Sequence, residues 1–273
     1  MVMVYEHMEV LVRRALFLWV SFFQNSLTRD MEFKANFLGG LFVDLVYYSV
    51  YFFLFNVIYS YVDTLGVFSR QDIMIFLVVC YLADTCDMFF FSGNIFSLNQ
   101  LMVKGELDFF LLKPVDSQFI TSLRKVRAYA LANFIILLAL LIRQIYFYPN
   151  NIALINISLF ILSFIMGILL WYSVDFIIAS TCFWFKNFSV SGWLSHEILK
   201  FSSRPDSIYT GFMRKILFSL MPMTLIASVP TRFLLYGPDW DLFLWQLFIT
   251  IIFLFSSRVV WHRGLLRYES ASS

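Results

Sequence analysis

The sequence predicts an all-α membrane protein with six transmembrane helices, because its composition and its apolar runs fit no other class. Hydrophobic residues make up 60% of the 273 residues, charged residues make up 14%, and the mean hydropathy is +0.78. A soluble domain of this length cannot bury so much apolar side chain, whereas a multi-span protein exposes it to lipid. The apolar runs are long and lack the alternating ten-residue segments of a barrel, so helices are predicted.

The N-terminal residues 1–26 are predicted to form an amphipathic helix in the membrane interface. Glu9, Arg13 and Arg14 interrupt this stretch. Only Ala15–Phe23 is an uninterrupted run, about half of the ~20 residues that a spanning helix needs. An interfacial helix is therefore favoured, with Trp19 as an anchor at the lipid headgroups.

Six apolar runs follow, and the distribution of charge indicates how they are oriented. The predicted spans are Phe37–Tyr59, Ile73–Phe96, Ala128–Phe147, Ile152–Phe185, Phe212–Val229 and Leu242–Trp261. With the N-terminus inside, seventeen lysines and arginines fall on cytoplasmic segments, and only Arg70, Arg143 and Arg232 fall outside. Cytoplasmic loops of membrane proteins carry such an excess of cations. The sequence therefore predicts both termini in the cytoplasm and a single membrane domain over residues 1–273.

Two of these spans have unusual lengths. The fourth run would make about 51 Å of helix against a hydrocarbon core of ~30 Å, so it must tilt, bend near Gly167 or extend beyond the membrane. The fifth contains Pro222 and reaches Pro230 soon afterwards. Its helical part, Ile216–Val229, gives only about 21 Å. A broken or partly re-entrant outer segment is expected here, since broken backbone is tolerated where protein covers it.

The cytoplasmic loop 97–126 contains a short polar stretch with distinct helix signals. Gly105 is a predicted helix stop, because glycine reaches left-handed φ without steric cost. A helix of about two turns is predicted over Glu106–Leu112, ended by Pro114. Asp116 has the side chain of an N-cap, so a second helix is predicted to begin at Ser117.

The apolar face of this first short helix needs something to pack against. Leu107, Phe110 and Leu111 share one side at i, i+3 and i+4. So short a helix is marginal in water, so its apolar face must dock either on the rest of the chain or on a partner. We expect a partner, with Glu106, Asp108 and Lys113 at the rim of the contact.

A second loop, 186–211, is also predicted to be cytoplasmic. Its apolar residues recur at near-helical spacing between polar ones. An amphipathic helix lying on the inner leaflet is the favoured interpretation, and a second docking surface is the alternative.

Four carboxylates fall within the apolar runs, namely Asp44, Asp84, Asp87 and Asp175. Asp84 and Asp87 share one helix face near the middle of their span, where charge is costly unless it meets a partner or water. No lysine or arginine is predicted at the same depth. These residues either line a translocation path or carry protons, or they are hydrogen-bonded carboxyls that hold helices together.

The sequence offers little for an enzyme. No phosphate-binding loop G-x-x-x-x-G-K-[ST] is present, so nucleotide would have to be bound by another polypeptide. The three cysteines and three histidines have no metal-ligand spacing, and no metal, cofactor or nucleic-acid partner is expected. An intramembrane aspartyl protease needs two facing carboxyls, but its usual Tyr-Asp and Gly-x-Gly-Asp motifs do not occur.

Two blocks of sequence resemble the permease subunits of type-2 ATP-binding-cassette (ABC) transporters. The first is residues 90–98 followed by 105–119, reading FFSGNIFSL and GELDFFLLKPVDSQF. The second comprises the Phe-Trp-Phe at 183–185, the stretch 204–209, and the Met-Pro and Val-Pro pairs at 221–222 and 229–230. Together they cover residues 85–235, and the six-span pattern extends the match over the whole chain.

This resemblance implies an exporter permease in the cytoplasmic (inner) membrane. It implies an N-terminal elbow helix at 1–26, a coupling helix in the 97–126 loop, and an outer re-entrant segment before the last span. It also implies two ATPase subunits that bind the ATP, and a second permease that is this chain or a homologue. The residues expected to contact the ATPase are Gly105, Glu106, Leu107, Asp108, Phe110, Leu111, Lys113 and Pro114. The alternatives are an ion- or proton-driven transporter that uses Asp84 and Asp87, and an intramembrane enzyme.

Overall fold

The computed structural model describes residues 17–30, 32–185 and 191–268. Five helical stretches in these ranges are long and apolar enough to cross a membrane. They are Lys34–Ile58, Arg70–Val103, Ala128–Tyr146, Leu154–Phe183 and Trp240–Leu265. They match five of the six predicted spans, and the sixth, Phe212–Val229, is not one helix.

The helices are numbered in chain order, beginning with α1 at residues 17–30. The others are α2 Lys34–Ile58, α3 Arg70–Asp87, α4 Gly93–Ile95, α5 Leu98–Val103, α6 Asp108–Leu111, α7 Ser117–Leu123, α8 Ala128–Tyr146, α9 Leu154–Ser180, α10 Ser191–Leu199, α11 Gly211–Phe218, α12 Thr224–Tyr236 and α13 Trp240–Leu265. A π-helical turn, Met88–Ser92, joins α3 to α4, and short 3-10 turns cover Thr181–Phe183, Lys200–Ser203 and Asp206–Ile208. Strands β1, Thr64–Leu65, and β2, Phe68–Ser69, form a small antiparallel hairpin between α2 and α3.

The two ends of the bundle are defined by what α3 connects. The β-hairpin precedes α3, and the loop 97–126 follows its continuation through α5, so these two features lie at opposite ends. They are called the hairpin end and the loop end below.

Helix α1 packs at the loop end. The rings of Trp19 and Phe23 stack at 5.9 Å, and both contact Phe89 in the π-helical turn. The side chain of Ser26 accepts a hydrogen bond from the backbone N–H of Val126 at 3.1 Å. The predicted N-terminal helix is therefore present over 17–30 and is fixed to the chain by aromatic contacts, whereas residues 1–16 lie outside the described ranges.

The prediction that 186–211 forms a loop at the cytoplasmic face is wrong for its described part, 191–211. Gly192 lies against Phe96, towards the loop end of the second span. Further along, Ser202 approaches Cys80 in α3, its carbonyl oxygen 3.9 Å from the thiol sulfur. The hydroxyl of Ser207 donates to the carbonyl of Leu65 in the β-hairpin at 2.9 Å. The segment thus runs through the bundle from the loop end to the hairpin end, as α10 and two 3-10 turns.

The predicted fifth span is instead two short helices, α11 and α12, separated at residues 219–223. Their 8 and 13 residues make about 12 and 20 Å of helix, too little for either to cross. Helix α11 starts beside the Asp206–Ile208 turn, and α12 ends where Tyr236 donates to the carbonyl of Val67 at 2.9 Å. Both ends of the pair therefore lie at the hairpin end, as a re-entrant segment requires.

The beginning of α12 is buried between α9 and α13. Gln246 of α13 is fully buried, and its amide nitrogen donates to the carbonyls of Leu225 at 2.9 Å and Ser163 at 3.0 Å. Its amide oxygen accepts from the hydroxyl of Ser163 at 2.6 Å. Gly167 permits α9 and α12 to approach, since a Cβ there would lie 2.6 Å from the carbonyl oxygen of Ile226.

Substitution of Gly167 by Ala should lower the thermal unfolding midpoint of the detergent-solubilised protein. The added Cβ meets backbone rather than a movable side chain, so the two helices must separate, at a cost of about 1–3 kcal/mol. Gly39→Ala is the matched control, because nothing lies within 4 Å of a Cβ at that spanning-helix glycine. Equal midpoints for the two variants would contradict the close α9–α12 contact.

Candidate functional site

The loop 97–126 has the local structure that its sequence signals predict. Gly105 adopts a φ of +70° and ends α5. Asp116 caps α7, its carboxylate accepting from the backbone N–H of Phe119 at 2.8 Å. The first short helix, α6, covers only Asp108–Leu111 rather than two turns, and Pro114 follows it. The loop is therefore a compact pair of short helices at the end of the bundle.

The face of α6 that was expected to meet a partner packs on the chain itself. Leu107 is fully buried in a cluster with Phe176 and Trp261. Phe110 and Leu111 pack against the same cluster, and the guanidinium of Arg124 lies 4.6 Å above the Phe110 ring. The three residues do share one side, but the prediction that this side is free to dock is wrong.

A different pair of residues forms the exposed apolar face of α6. Phe109 is 69% exposed and Leu112 is 83% exposed, and their i, i+3 spacing puts them on one side of the helix. Glu106 and Lys113 are exposed around them. Phe109 and Leu112 are called the apolar knob below. Apolar residues occur on both faces of this helix, so the sequence contained the exposed pair but its spacing did not show which face is free.

The loop is bonded to two spanning helices. The guanidinium of Arg258 in α13 holds both carboxylate oxygens of Asp116, one of them at 2.8 Å, and it lowers the pKa of Asp116. The indole N–H of Trp261 in α13 donates to the hydroxyl of Ser117 at 2.9 Å. On the other side, the amide of Gln118 donates to the hydroxyl of Tyr172 in α9 at 3.0 Å. Any force applied to α6 and α7 would reach α9 and α13 through these bonds.

The four carboxylates within the spans differ in their hydrogen-bond partners. Asp44 accepts from the amide of Asn133 at 2.8 Å, and Asp84 accepts from the hydroxyl of Tyr48 at 3.1 Å. Asp87 and Asp175 are buried, and the hydroxyl of Ser195 in α10 donates to Asp175. One oxygen of Asp87 and one of Asp175 have no hydrogen-bond partner within the described ranges. The structure thus gives three of the four a protein partner.

Asp84 lines a small cavity of about 50 Å³ inside the bundle. Its lining residues come from α2, α3, α9 and the 200–203 turn, and they are Tyr47, Cys80, Tyr81, Asp84, Trp171, Lys200, Ser202 and Ser203. The ammonium of Lys200 lies 2.6 Å from the carboxylate of Glu197. The prediction that no cation reaches the depth of Asp84 is therefore wrong. Sequence reasoning missed Lys200 because it placed residues 186–211 outside the membrane.

No group of three His, Cys, Asp or Glu side chains that could hold a metal ion occurs in the part of the chain that the structure describes. The three cysteines, Cys80, Cys86 and Cys182, are buried and unbridged. They behave as small apolar side chains, in agreement with their sequence context.

One family model matches the chain, that of the ABC-2 family transporter proteins, over residues 45–272. The match includes the loop at 105–119, the crossing segment 191–208 and the re-entrant helices. No curated protein and no solved structure gives a significant match. With five apolar spans and a match over most of its length, the chain belongs to the ABC-2 family of transporter proteins, the membrane permeases of ABC transporters.

Proposed function

We propose that this protein is the permease subunit of an ABC exporter and that it docks separate ATPase subunits on the apolar knob. The observation that carries the proposal is the exposure of Phe109 and Leu112 on a loop otherwise bound tightly to the spans. Apolar side chains at the centre of a contact, surrounded by charge, are typical of protein interfaces. Glu106 and Lys113 would set the orientation of the partner.

The proposed complex follows the family pattern of two permeases and two ATPase subunits. The second permease is a copy of this chain or a homologue. This sequence has no phosphate-binding loop, so the ATP belongs to the ATPase subunits, and the permease contributes no cofactor.

We place the loop end in the cytoplasm and the hairpin end outside. Lys104, Lys113, Arg124, Lys125 and Arg127 all lie on the loop between the second and third spans, as the positive-inside rule favours for a cytoplasmic segment. The crossing segment transfers Arg204, Arg214 and Lys215 to the hairpin end, which reduces the excess of inner cations without reversing it. The membrane would be the cytoplasmic, or inner, membrane.

The hydrogen bonds that fix the loop to the spanning helices would transmit motion from the ATPase to those helices. Closure of an ATPase dimer would move α6 and, through Asp116 and Arg258, shift α13. Through Gln118 and Tyr172 it would also shift α9, which carries Asp175. Asp175 in turn contacts Ser195 of the crossing segment. The proposal is thus a mechanical linkage from the knob to the polar interior of the bundle.

We propose that the Asp84–Lys200 cavity lies on the translocation path. Charged residues in membrane spans commonly mark such paths, and Lys200 and Glu197 are each about two-fifths exposed rather than sealed. Asp87 lies one turn from Asp84 on the same helix. Asp44, in contrast, accepts a hydrogen bond from Asn133.

Removal of the apolar knob by the double substitution Phe109→Ala and Leu112→Ala should abolish co-purification of the ATPase subunit while expression is retained. Loss of two central apolar side chains costs ~2 kcal/mol or more each, which weakens docking by orders of magnitude. Folding should persist, because both side chains are mostly exposed. The measurement is the amount of ATPase captured with the purified permease from the same membranes.

The matched control is Tyr146→Ala with Phe147→Ala, which removes two aromatic side chains that are 82% and 69% exposed at the hairpin end. This control should keep its ATPase. A knob variant that retains as much ATPase as the control would contradict the docking proposal. The comparison variant Phe110→Ala with Leu111→Ala should lower the thermal midpoint instead, because those residues pack within the chain.

Substitution of Asp84 and Asp87 by Asn tests ATP-driven against ion-driven transport. If ATP drives the permease, the ATPase activity of the reconstituted complex should survive in the double variant. The double variant should stay folded, because Asn at 84 can still accept the Tyr48 hydrogen bond. A protonophore should leave the ATPase activity unchanged, because ATP and not a proton gradient supplies the energy. The ion-driven alternative would be supported if the variant lost transport and the wild type also lost transport when the proton gradient collapses.

A further inference from the structure

A cavity with charged walls lies at the hairpin end, between the first turn of α3 and the last turn of α8. Its volume is about 470 Å³. It is lined by Arg70, Gln71, Met74, Ile75, Arg143, Gln144, Phe147 and Tyr148. The polar part consists of two Arg-Gln pairs that the antiparallel helices bring together, and the remainder is apolar. A cavity of this size accommodates a small-molecule headgroup.

The two arginines of this cavity carry charge that no carboxylate in the described ranges pairs with. Neither guanidinium forms an ion pair with a carboxylate of the described residues. Arg70 donates to the side-chain oxygen of Asn56 at 2.9 Å, and Arg143 lies 5.9 Å from the centre of the Phe147 ring. Arg232, at the same end, is different, because it binds buried Asp206 through two nitrogens at 2.6 and 3.1 Å.

The acidic residue on the same turn of α3 does not neutralise the cavity. Asp72 is buried, and its carboxylate is already occupied. It accepts from the backbone N–H of Ser69 at 2.8 Å, from the hydroxyl of Tyr148 at 2.7 Å and from the hydroxyl of Tyr236 at 3.1 Å. Asp72 is not among the residues that line the cavity, whereas Arg70 and Arg143 are, so the cavity wall itself carries two positive charges.

Position and chemistry together indicate what would neutralise these charges. Arg70 and Arg143 stand at the hairpin-end termini of two helices that are long and apolar enough to cross a membrane. The ends of spanning helices reach the headgroup region of a bilayer. Guanidinium groups bind phosphate through paired hydrogen bonds, and side-chain amides can donate to further oxygens. Met74, Ile75 and Phe147 give the same cavity an apolar wall next to the acyl region of the bilayer.

We propose that this cavity binds the phosphate-bearing headgroup of an anionic membrane lipid. Arg70 and Arg143 would hold the phosphate, Gln71 and Gln144 would donate to headgroup oxygens, and an acyl chain would lie along Met74 and Ile75. A soluble phosphate ion offers the same charge, but it would leave the apolar wall unused. The site involves no residue of the docking loop and is independent of the proposed coupling to an ATPase.

The test measures lipid binding to the purified full chain in a non-ionic detergent. Phosphatidylglycerol is the anionic probe, phosphatidylcholine is the zwitterionic comparison, and inorganic phosphate is the soluble comparison. Binding is followed by the rise in thermal unfolding midpoint and by counting lipids retained in native mass spectrometry. The wild type should bind phosphatidylglycerol in preference to the other two.

The variants are Arg143→Gln, and Arg70→Gln combined with Arg143→Gln. Each lost guanidinium should weaken phosphatidylglycerol binding about tenfold or more, since charge-assisted pairs to phosphate are the strong class of hydrogen bond. The single variant Arg143→Gln controls for misfolding. Within the described ranges that guanidinium forms no ion pair and lies near the Phe147 ring, so its loss should leave the lipid-free midpoint unchanged. Lys215→Gln is the control, since it removes an exposed cation of α11 outside the cavity.

Three results decide the question. Weaker phosphatidylglycerol binding in the arginine variants but not in Lys215→Gln supports the site. Equal phosphatidylglycerol binding by the wild type and both arginine variants would overturn it. An equal stabilisation by inorganic phosphate at the same concentration would overturn the lipid assignment in favour of a soluble anion.

Discussion

The buried amide of Gln246 is the interaction on which the re-entrant part of the fold depends. It binds the carbonyl of Leu225 in the first turn of α12 and both polar groups of Ser163 in α9. A helix that begins inside the membrane leaves backbone groups without partners, and each unsatisfied group costs several kcal/mol in lipid. The amide of Gln246 ties α12 to α9 and α13, which cover its beginning. The backbone N–H groups of Leu225 and Ile226 donate to the carbonyls of Pro222 and Met223 at 3.2 and 3.3 Å. The hydroxyl of Thr224 satisfies a carbonyl in the last turn of α11, that of Leu217, at 2.7 Å.

The need to satisfy polar groups inside the membrane also explains the contacts of the crossing segment, residues 191–208. Its last part is not continuous α-helix, so its polar groups need partners from neighbouring helices. Ser195 finds Asp175, and the backbone N–H of Asp206 donates to the hydroxyl of Ser228 at 3.1 Å. The buried carboxylate of Asp206 is neutralised by Arg232. A segment that carries Glu197 and Lys200 through a membrane bundle is costly, which is why we assign it a role in transport.

Local sequence signals predicted the loop well, because they depend on single residues. Gly105 and Asp116 have the conformations that their side chains favour, and Pro222 coincides with the break before α12. The direction of the apolar face of α6 was not predictable in the same way. Amphipathicity shows that Leu107 must be covered, but it does not distinguish a covering partner from the chain's own Trp261 cluster.

The crossing segment was misplaced for a physical reason. Hydropathy identifies spans whose side chains face lipid, whereas residues 191–208 are partly enclosed by α3 and α9 and contain serines, charges and a proline. A span of this kind resembles a polar loop in sequence. The adjacent stretch 212–229 is apolar enough to be predicted as a spanning helix, although it enters the bundle and returns to the hairpin end. In the topology that we propose, 191–208 takes the place of 212–229 as the sixth pass.

Accessibility of two positions tests the account most directly, because it places the docking loop and the end of the crossing segment on opposite sides of the membrane. In a chain with Cys80, Cys86 and Cys182 replaced by Ala, single cysteines are introduced as Leu112→Cys and Thr210→Cys, both exposed positions. A membrane-impermeant maleimide should label the cysteine at 210 in intact cells and the cysteine at 112 only after permeabilisation. Labelling of the cysteine at 112 in intact cells, or labelling of the cysteine at 210 only after permeabilisation, would contradict the account.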